Sequence, residues 1–385
     1  MDLTVNELTS ASSLNNNSKT LVTDMEKSNE MQLKFDDDDD DEKKSSASSE
    51  SVIMTSMIRG YQLSQVLYVA AKLGIADILA CHNRMKIDEL SKLTDTHTPS
   101  LEHLLRALVH VNVFRVDEDG YYYSTSLSKL LEMNSSRSSV LTWVQPCFWQ
   151  TWGSLLNSIK TGKSSFENLY GVDFYQYSGQ NPNINSTFNE CMASGPRHKQ
   201  FVKIYDGFSN ANCVVDIGGG IGRLLMNLLT KHKHLRGILY DLPHVINTIN
   251  LQHLDKSVAE RFTIIGGDMF TDIPIDGDIY IISNILMDLN DEKAQILLHN
   301  CRQAMKNGKR LLIVDVIMSS SIDVSTNELW KEISYLHMLV VHHGKFRTQL
   351  EFQTLLENQN FKLNRIIPIM NSLVYVGSIL ECIAT

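Results

Sequence analysis

The sequence predicts two folded parts behind an acidic segment: a mainly helical N-terminal domain with a small β wing, then a doubly wound α/β domain. Three observations carry this. Helical periodicity begins near Ser51, apolar strands alternate with helices beyond Asn212, and the first of those strands runs into a glycine-rich turn. A length of 385 residues exceeds one average domain and allows two substantial cores. The composition, 43% hydrophobic and 21% charged, is that of an ordinary globular protein. A net charge of -9 argues against nucleic-acid binding, which needs a basic face.

Part of that acidity is local. Asp36 to Asp41 form an unbroken run within a first fifty residues rich in Ser, Asn, Asp and Lys. Such a stretch buries too little apolar surface to offset its ordering entropy, so residues 1–50 read as a disordered acidic tail, with a partner-binding arm as the competing reading. No apolar run reaches the ~18 residues that span a bilayer, and no signal-peptide layout opens the chain, so a cytoplasmic protein without membrane contact is expected. The six cysteines (Cys81, Cys147, Cys191, Cys213, Cys301, Cys382) show no metal-ligand spacing and read as reduced core residues. No metal is expected.

Residues 51–150 read as a winged-helix-like domain. Leu63, Val66, Leu67 and Ala70 share one helical face, and Gly74 is placed to end that helix. A second helix is expected over 86–93. A third follows Thr98-Pro-Ser100, capped by Ser or Thr and running to Val109. Residues 113–116 and 121–124 flank Asp117-Glu-Asp-Gly120 as a hairpin. The would-be recognition helix offers only Arg106 as a cation, so packing and dimerisation are favoured over DNA binding. Residues 151–385 read as a helical, aromatic-rich stretch followed by the α/β domain. Strands are expected at 213–217, 236–240, 262–266, 278–283 and 310–316, with an antiparallel end formed by 362–367 and 372–380.

Val214-Val-Asp-Ile-Gly-Gly-Gly-Ile-Gly222 is a buried strand entering a glycine turn and then a helix. Asp216, Gly218, Gly220 and Gly222 there let a backbone approach a ligand beside free helix N–H donors. Asp241 ends the next strand about 20 positions on, where a carboxylate can accept ribose hydroxyls. Gly266-Gly-Asp-Met-Phe270 ends the third, placing Asp268 for an adenine amino group and Met269 for its ring. The competing reading is that Asp241 and Asp268 only cap loops.

With Tyr240-Asp-Leu-Pro-His-Val245, Asn300-Cys301, Gly60-Tyr-Gln-Leu-Ser64, Lys72-Leu-Gly-Ile-Ala-Asp77, Phe188-Asn-Glu-Cys-Met192 and Gly344-Lys-Phe-Arg-Thr348, the chain resembles S-adenosylmethionine-dependent O-methyltransferases of the caffeate/hydroxyindole type. The resemblance runs from about Val52 to the C-terminus. It implies a Rossmann-like S-adenosylmethionine-binding domain, an N-terminal all-α winged-helix dimerisation domain, a homodimer with exchanged N-terminal helices, and a phenolic or polyketide-like acceptor from secondary metabolism. It also implies that Phe188 and Met192 line the methyl-transfer region, and that the acceptor pocket lies by the Gly344 loop, near His337 and Phe346.

The sequence departs from the family where the base belongs. The family's His-Asp-Trp-x-Asp-Glu is Met287-Asp-Leu-Asn-Asp-Glu292 here, so Met287, which cannot take a proton, stands at the base position. The acid of Gly-Lys-Glu-Arg-Thr is Phe346, while a third carboxylate survives as Asp315. A positioned base contributes about 10²–10⁴-fold, less than positioning alone can supply. Methyl transfer therefore remains the expectation. The alternatives are non-methylating catalysis and a ligand-binding dimer. His342 or His343 could replace the base, although a solvent-facing pair is the simpler reading.

Overall fold

The computed structural model describes residues 45–133, 135–194, 197–275, 277–319, 326–371 and 375–385. The acidic run from Asp36 to Asp41 lies outside them. Helix begins at Ser45, ahead of the boundary expected at 50. Contacts divide the chain into a unit ending at Gly60 and a unit from Tyr61 to Thr385. The described part of the first is the leading portion of helix Ser45–Lys72, on which Val52, Ile53, Met57 and Ile58 are exposed. Among the described residues no single helix is long and apolar enough to cross a membrane.

In the second unit, Gly74 leaves the helix in the left-handed region that glycine tolerates, and helix Ile75–His82 follows. Helices Ile87–Leu93 and Thr98–His110 come next. The cap of the latter is His97, with its ring on the Ser100 hydroxyl at 2.9 Å, and not Ser or Thr as expected. The wing has three strands, β1 (Arg84–Lys86), β2 (Phe114–Val116) and β3 (Tyr121–Ser124), antiparallel in the order β1-β3-β2. Leu79, Leu90, Leu105, Leu108 and Phe114 form the core that joins helices to wing.

The large sheet comprises β4 (Cys213–Ile217), β5 (Arg236–Asp241), β6 (Phe262–Gly266), β7 (Ile279–Ser283), β8 (Arg310–Asp315), β11 (Phe361–Asn371) and β12 (Tyr375–Ala384). Two-residue strands β9 (Ile317–Met318) and β10 (Arg347–Thr348) pair separately, in parallel. The sheet order is β11-β12-β8-β7-β4-β5-β6, parallel from β8 to β6 and antiparallel at β11 and β12. Every residue of β4 is buried, and separate apolar clusters cover the two faces, as a parallel sheet requires. Chain order reverses at β4, which opens a crevice at the strand carboxyl ends. Five of the six cysteines are buried; Cys81 is exposed, contrary to its reading as core.

Candidate active site

The donor end is built where β4, β5 and β6 finish. After Ile217 the chain turns through Gly218, Gly219 and Gly220 before helix Arg223–Lys231. A Cβ at Gly219 would lie 2.6 Å from an Asp216 carboxylate oxygen. Gly220, with φ of 60°, faces open space instead. Asp241 accepts the Gly220 N–H on Oδ2 and the Leu242 N–H on Oδ1, each at 2.7 Å. Burial nevertheless pushes Asp241 up to about 6. Asp216 is fully buried, and neither of its oxygens meets a hydrogen-bond donor among the described residues. Burial first, then the charge of Asp241, drives it up to about 8.

Two adjacent buried carboxylates without a counter-charge suit a ligand that brings hydroxyl donors and positive charge. S-adenosylmethionine carries a ribose diol, a sulfonium and an ammonium, so this donor set fits it. Asp268 is exposed at the end of β6 and accepts the Phe270 N–H at 2.9 Å. Met269 packs on the core beneath, its carbonyl held by the Asn300 amide at 3.0 Å.

Beside that end lies a cage of rings. Phe188, on helix Pro182–Ala193, is 4.8 Å from Phe174, centroid to centroid; Phe174 is 4.9 Å from Phe148 and 5.6 Å from His342. Phe148 is 5.2 Å from His337. Met192, half-buried, stands one helical turn past Phe188. Tyr175 tilts against His342 at 5.5 Å, and its hydroxyl donates to Asp288 Oδ2 in a short hydrogen bond. Burial, then Asp288, holds the Tyr175 phenol well above its usual range, and the charge of Asp241 adds to the effect. The cage therefore abuts the donor carboxylates.

Helix Thr326–His337 continues into a π-helical turn, Met338–His342, a form often found at functional sites. The Ser164 hydroxyl holds two of its carbonyls, Val340 at 3.2 Å and Val341 at 2.9 Å. That turn carries His342 inward against Phe174 and Tyr175, which corrects the solvent-facing reading. Burial pushes its ring down to about 4, so it is neutral near pH 7 and a weak proton acceptor.

Comparison with known sequences settles the family. A profile of the O-methyltransferase domain matches residues 152–362, and one of the O-methyltransferase dimerisation domain matches residues 55–134. The chain belongs to the O-methyltransferase family. It is 35% identical over 331 residues to phenazine O-methyltransferase PhzM of Lysobacter antibioticus, covering 85% of this chain and 95% of that one. The structure of the mitomycin 7-O-methyltransferase MmcR superposes with a TM-score of 0.81 at 28% identity, over 89% of this chain and all of the other. The O-methyltransferase NcsB1 from neocarzinostatin biosynthesis, solved with S-adenosylmethionine and 2-hydroxy-5-methyl naphthoic acid, gives 0.70 at 27% identity over 84% and 96%. S-adenosylmethionine is the cofactor, and the protein is a methyltransferase that acts on oxygen of small aromatic metabolites. These relatives leave no support for the non-methylating and non-catalytic alternatives.

In this O-methyltransferase the loop that carries Met287 is held through its main chain. Arg347, only 1% exposed, donates to the carbonyls of Leu286 at 2.7 Å and Leu289 at 2.9 Å, and to Asp291 at 2.9 Å. Asp315 Oδ2 accepts the Met287 N–H at 3.0 Å while Oδ1 accepts the Val316 N–H at 2.7 Å. Burial still raises Asp315 to about 7. The Lys345 N–H donates to the Met287 carbonyl at 3.0 Å, and Gly344 passes so close that a Cβ would lie 2.2 Å from that oxygen. Where the family has histidine and acid, Met287 packs on Phe346, which is 3% exposed, in a cluster with Val316, Met338 and Tyr335. Tyr175 and Trp152 lie in the aromatic-rich stretch, Asp288 in Met287-Asp-Leu-Asn-Asp-Glu292 and Arg347 in Gly344-Lys-Phe-Arg-Thr348, but their pairings with Asp288, His337 and the Met287 loop left no signal in the sequence.

Proposed function

We propose that the protein methylates the hydroxyl of a flat, multi-ring aromatic metabolite, held in the ring cage of a homodimer, without a histidine base. The observation that carries this reading is the unbroken run of rings from Phe188 to His337 beside Asp241. S-adenosylmethionine, when bound, supplies an electrophilic methyl group. Asp241 orients the ribose, the Gly218, Gly220 and Gly222 turn and Asp216 take the methionine end, and Asp268 with Met269 flank the adenine. Phe188 and Met192 exclude water from the transfer region. Asp315 and Phe346 act through Met287: the first fixes its backbone and the second packs its side chain. The acceptor hydroxyl then relies on positioning and on its own ionisation, because no group at residue 287 takes its proton. Relatives named for phenazine, mitomycin and naphthoic acid chemistry support a fused-ring acceptor.

Two of the assigned boundaries also belong to this reading, residues 51–150 for dimerisation and 151–385 for catalysis. The exposed apolar residues Val52, Ile53, Met57 and Ile58 are too many to leave in water and suit a second copy of the chain. Incubation with labelled donor and a panel of hydroxylated phenazines, naphthoates and quinones, followed by mass analysis, tests the function. A product heavier by one methyl is expected from at least one fused-ring phenol. Donor binding without any methylated product would overturn the proposal.

A further inference from the structure

His337, 7% exposed, ends its helix. The Trp152 indole N–H donates to its Nδ1 at 3.0 Å. An indole nitrogen donates only, so Nδ1 presents a lone pair and cannot carry a proton. Burial, with His342 second, pushes the ring down to about 3, so His337 is neutral near pH 7. Its single proton therefore sits on Nε2. That nitrogen is buried and meets no hydrogen-bond acceptor among the described residues. Its ring neighbours, Trp143 at 5.0 Å and Phe148 at 5.2 Å, offer only weak π acceptors. A buried donor left unpaired is costly, and a ligand recovers that cost by accepting from it.

We propose that His337 Nε2–H is a recognition donor that selects acceptors bearing a second, uncharged lone-pair group, a ring nitrogen or carbonyl oxygen, remote from the reacting hydroxyl. The proposal rests on the methyl-transfer reading and narrows its substrate class. An uncharged group is favoured over a carboxylate because the rings around His337 carry no charge. Asp173, whose charge acts on the neighbouring His342 ring, 6.2 Å from that of His337, also disfavours an anion. Trp152 is the positioning residue that fixes the tautomer.

The test compares 2-hydroxyphenazine with 2-hydroxyanthracene, which has the same shape without the ring nitrogens, and with a hydroxyanthracene carboxylate. Affinity of each for the full-length protein saturated with S-adenosylhomocysteine is measured by calorimetry. The wild type should bind the phenazine about tenfold or more tighter than the anthracene. His337→Phe should bring the two within about twofold while leaving the affinity for S-adenosylhomocysteine unchanged, and Trp152→Phe should shrink the preference without abolishing it. Equal affinities in the wild type, no binding of either, or an undiminished preference in His337→Phe would overturn the proposal. Tighter binding of the carboxylate would overturn its uncharged specification. Methylated product is scored separately, so a phenazine preference without turnover counts against methyl transfer and not against His337.

Discussion

Asp241 keeps its proton in the free protein up to about pH 6 because burial outweighs the two backbone N–H groups that favour its charged form. Ribose hydroxyls donating to that carboxylate favour the charged form further, so the donor-bound pKa falls below that of the free protein. The sign follows. Affinity for S-adenosylmethionine is full above about pH 6 and declines as pH falls through that value, because the proton must leave before the diol can be held. With the free-state value near 6, about ten of every eleven free molecules are protonated at about pH 5, so affinity there should be about tenfold weaker than at about pH 7.5. Calorimetry across that pH range measures the effect, with S-adenosylhomocysteine as a second ligand to remove the sulfonium. Asp241→Asn should bind more weakly and lose the acid limb. A flat dissociation constant in the wild type, or a limb that survives in Asp241→Asn, would refute the assignment of Asp241 as the diol acceptor.

Wild-type turnover should rise with pH through the acceptor's own pKa, and His342→Ala should cost less than about tenfold, since that ring is already neutral; a limb near ~6.5 that vanishes in His342→Ala would show that the base had moved there. Met287→His should raise turnover on weakly acidic phenols only modestly, and Met287→His with Phe346→Glu should raise it more, because Phe346 gives an imidazole nothing to orient it; steady-state rates on one phenol settle the order, and no gain in either variant would count against the lost-base reading. Gly344→Ala should lower unfolding stability by more than ~2 kcal/mol in denaturant titration, because its Cβ would collide with the Met287 and Asp288 backbone; an unchanged midpoint contradicts the packing. Light scattering at micromolar concentration should report a dimer that survives deletion of residues 1–44 and dissociates in Ile58→Asp; a monomeric wild type would count against the exposed helix face as an interface.

The sheet and donor end were legible because both are written locally. Continuous apolar runs mark strands buried on two faces, and the 213–217 and 262–266 bounds hold as read. The 236–240 strand extends to include Asp241; the 362–367 strand runs longer, as Phe361–Asn371, and its partner is Tyr375–Ala384, residues 372–374 of the expected 372–380 strand lying outside those described. Helix Ile75–His82 and strand Arg84–Lys86 went unread because each is too short to show a period. The acceptor end resisted for another reason. Tyr175 meets Asp288 across 113 positions and Trp152 meets His337 across 185, pairings that packing alone brings about. The inward turn of His342 depends on a π-helical turn with no pattern of its own in sequence.

The Met287 loop is gripped by its main chain: Arg347 on two carbonyls, Asp315 on one amide, Lys345 on the Met287 oxygen. None of these contacts depends on which side chain residue 287 bears. A different side chain at residue 287 therefore leaves these main-chain contacts in place, so the loop can accept substitution there without losing its grip. If residue 287 is the proton-acceptor position, exchanging that one tip on a fixed bracket, with the substrate's own acidity making up the difference, is the route by which such a site changes its chemistry.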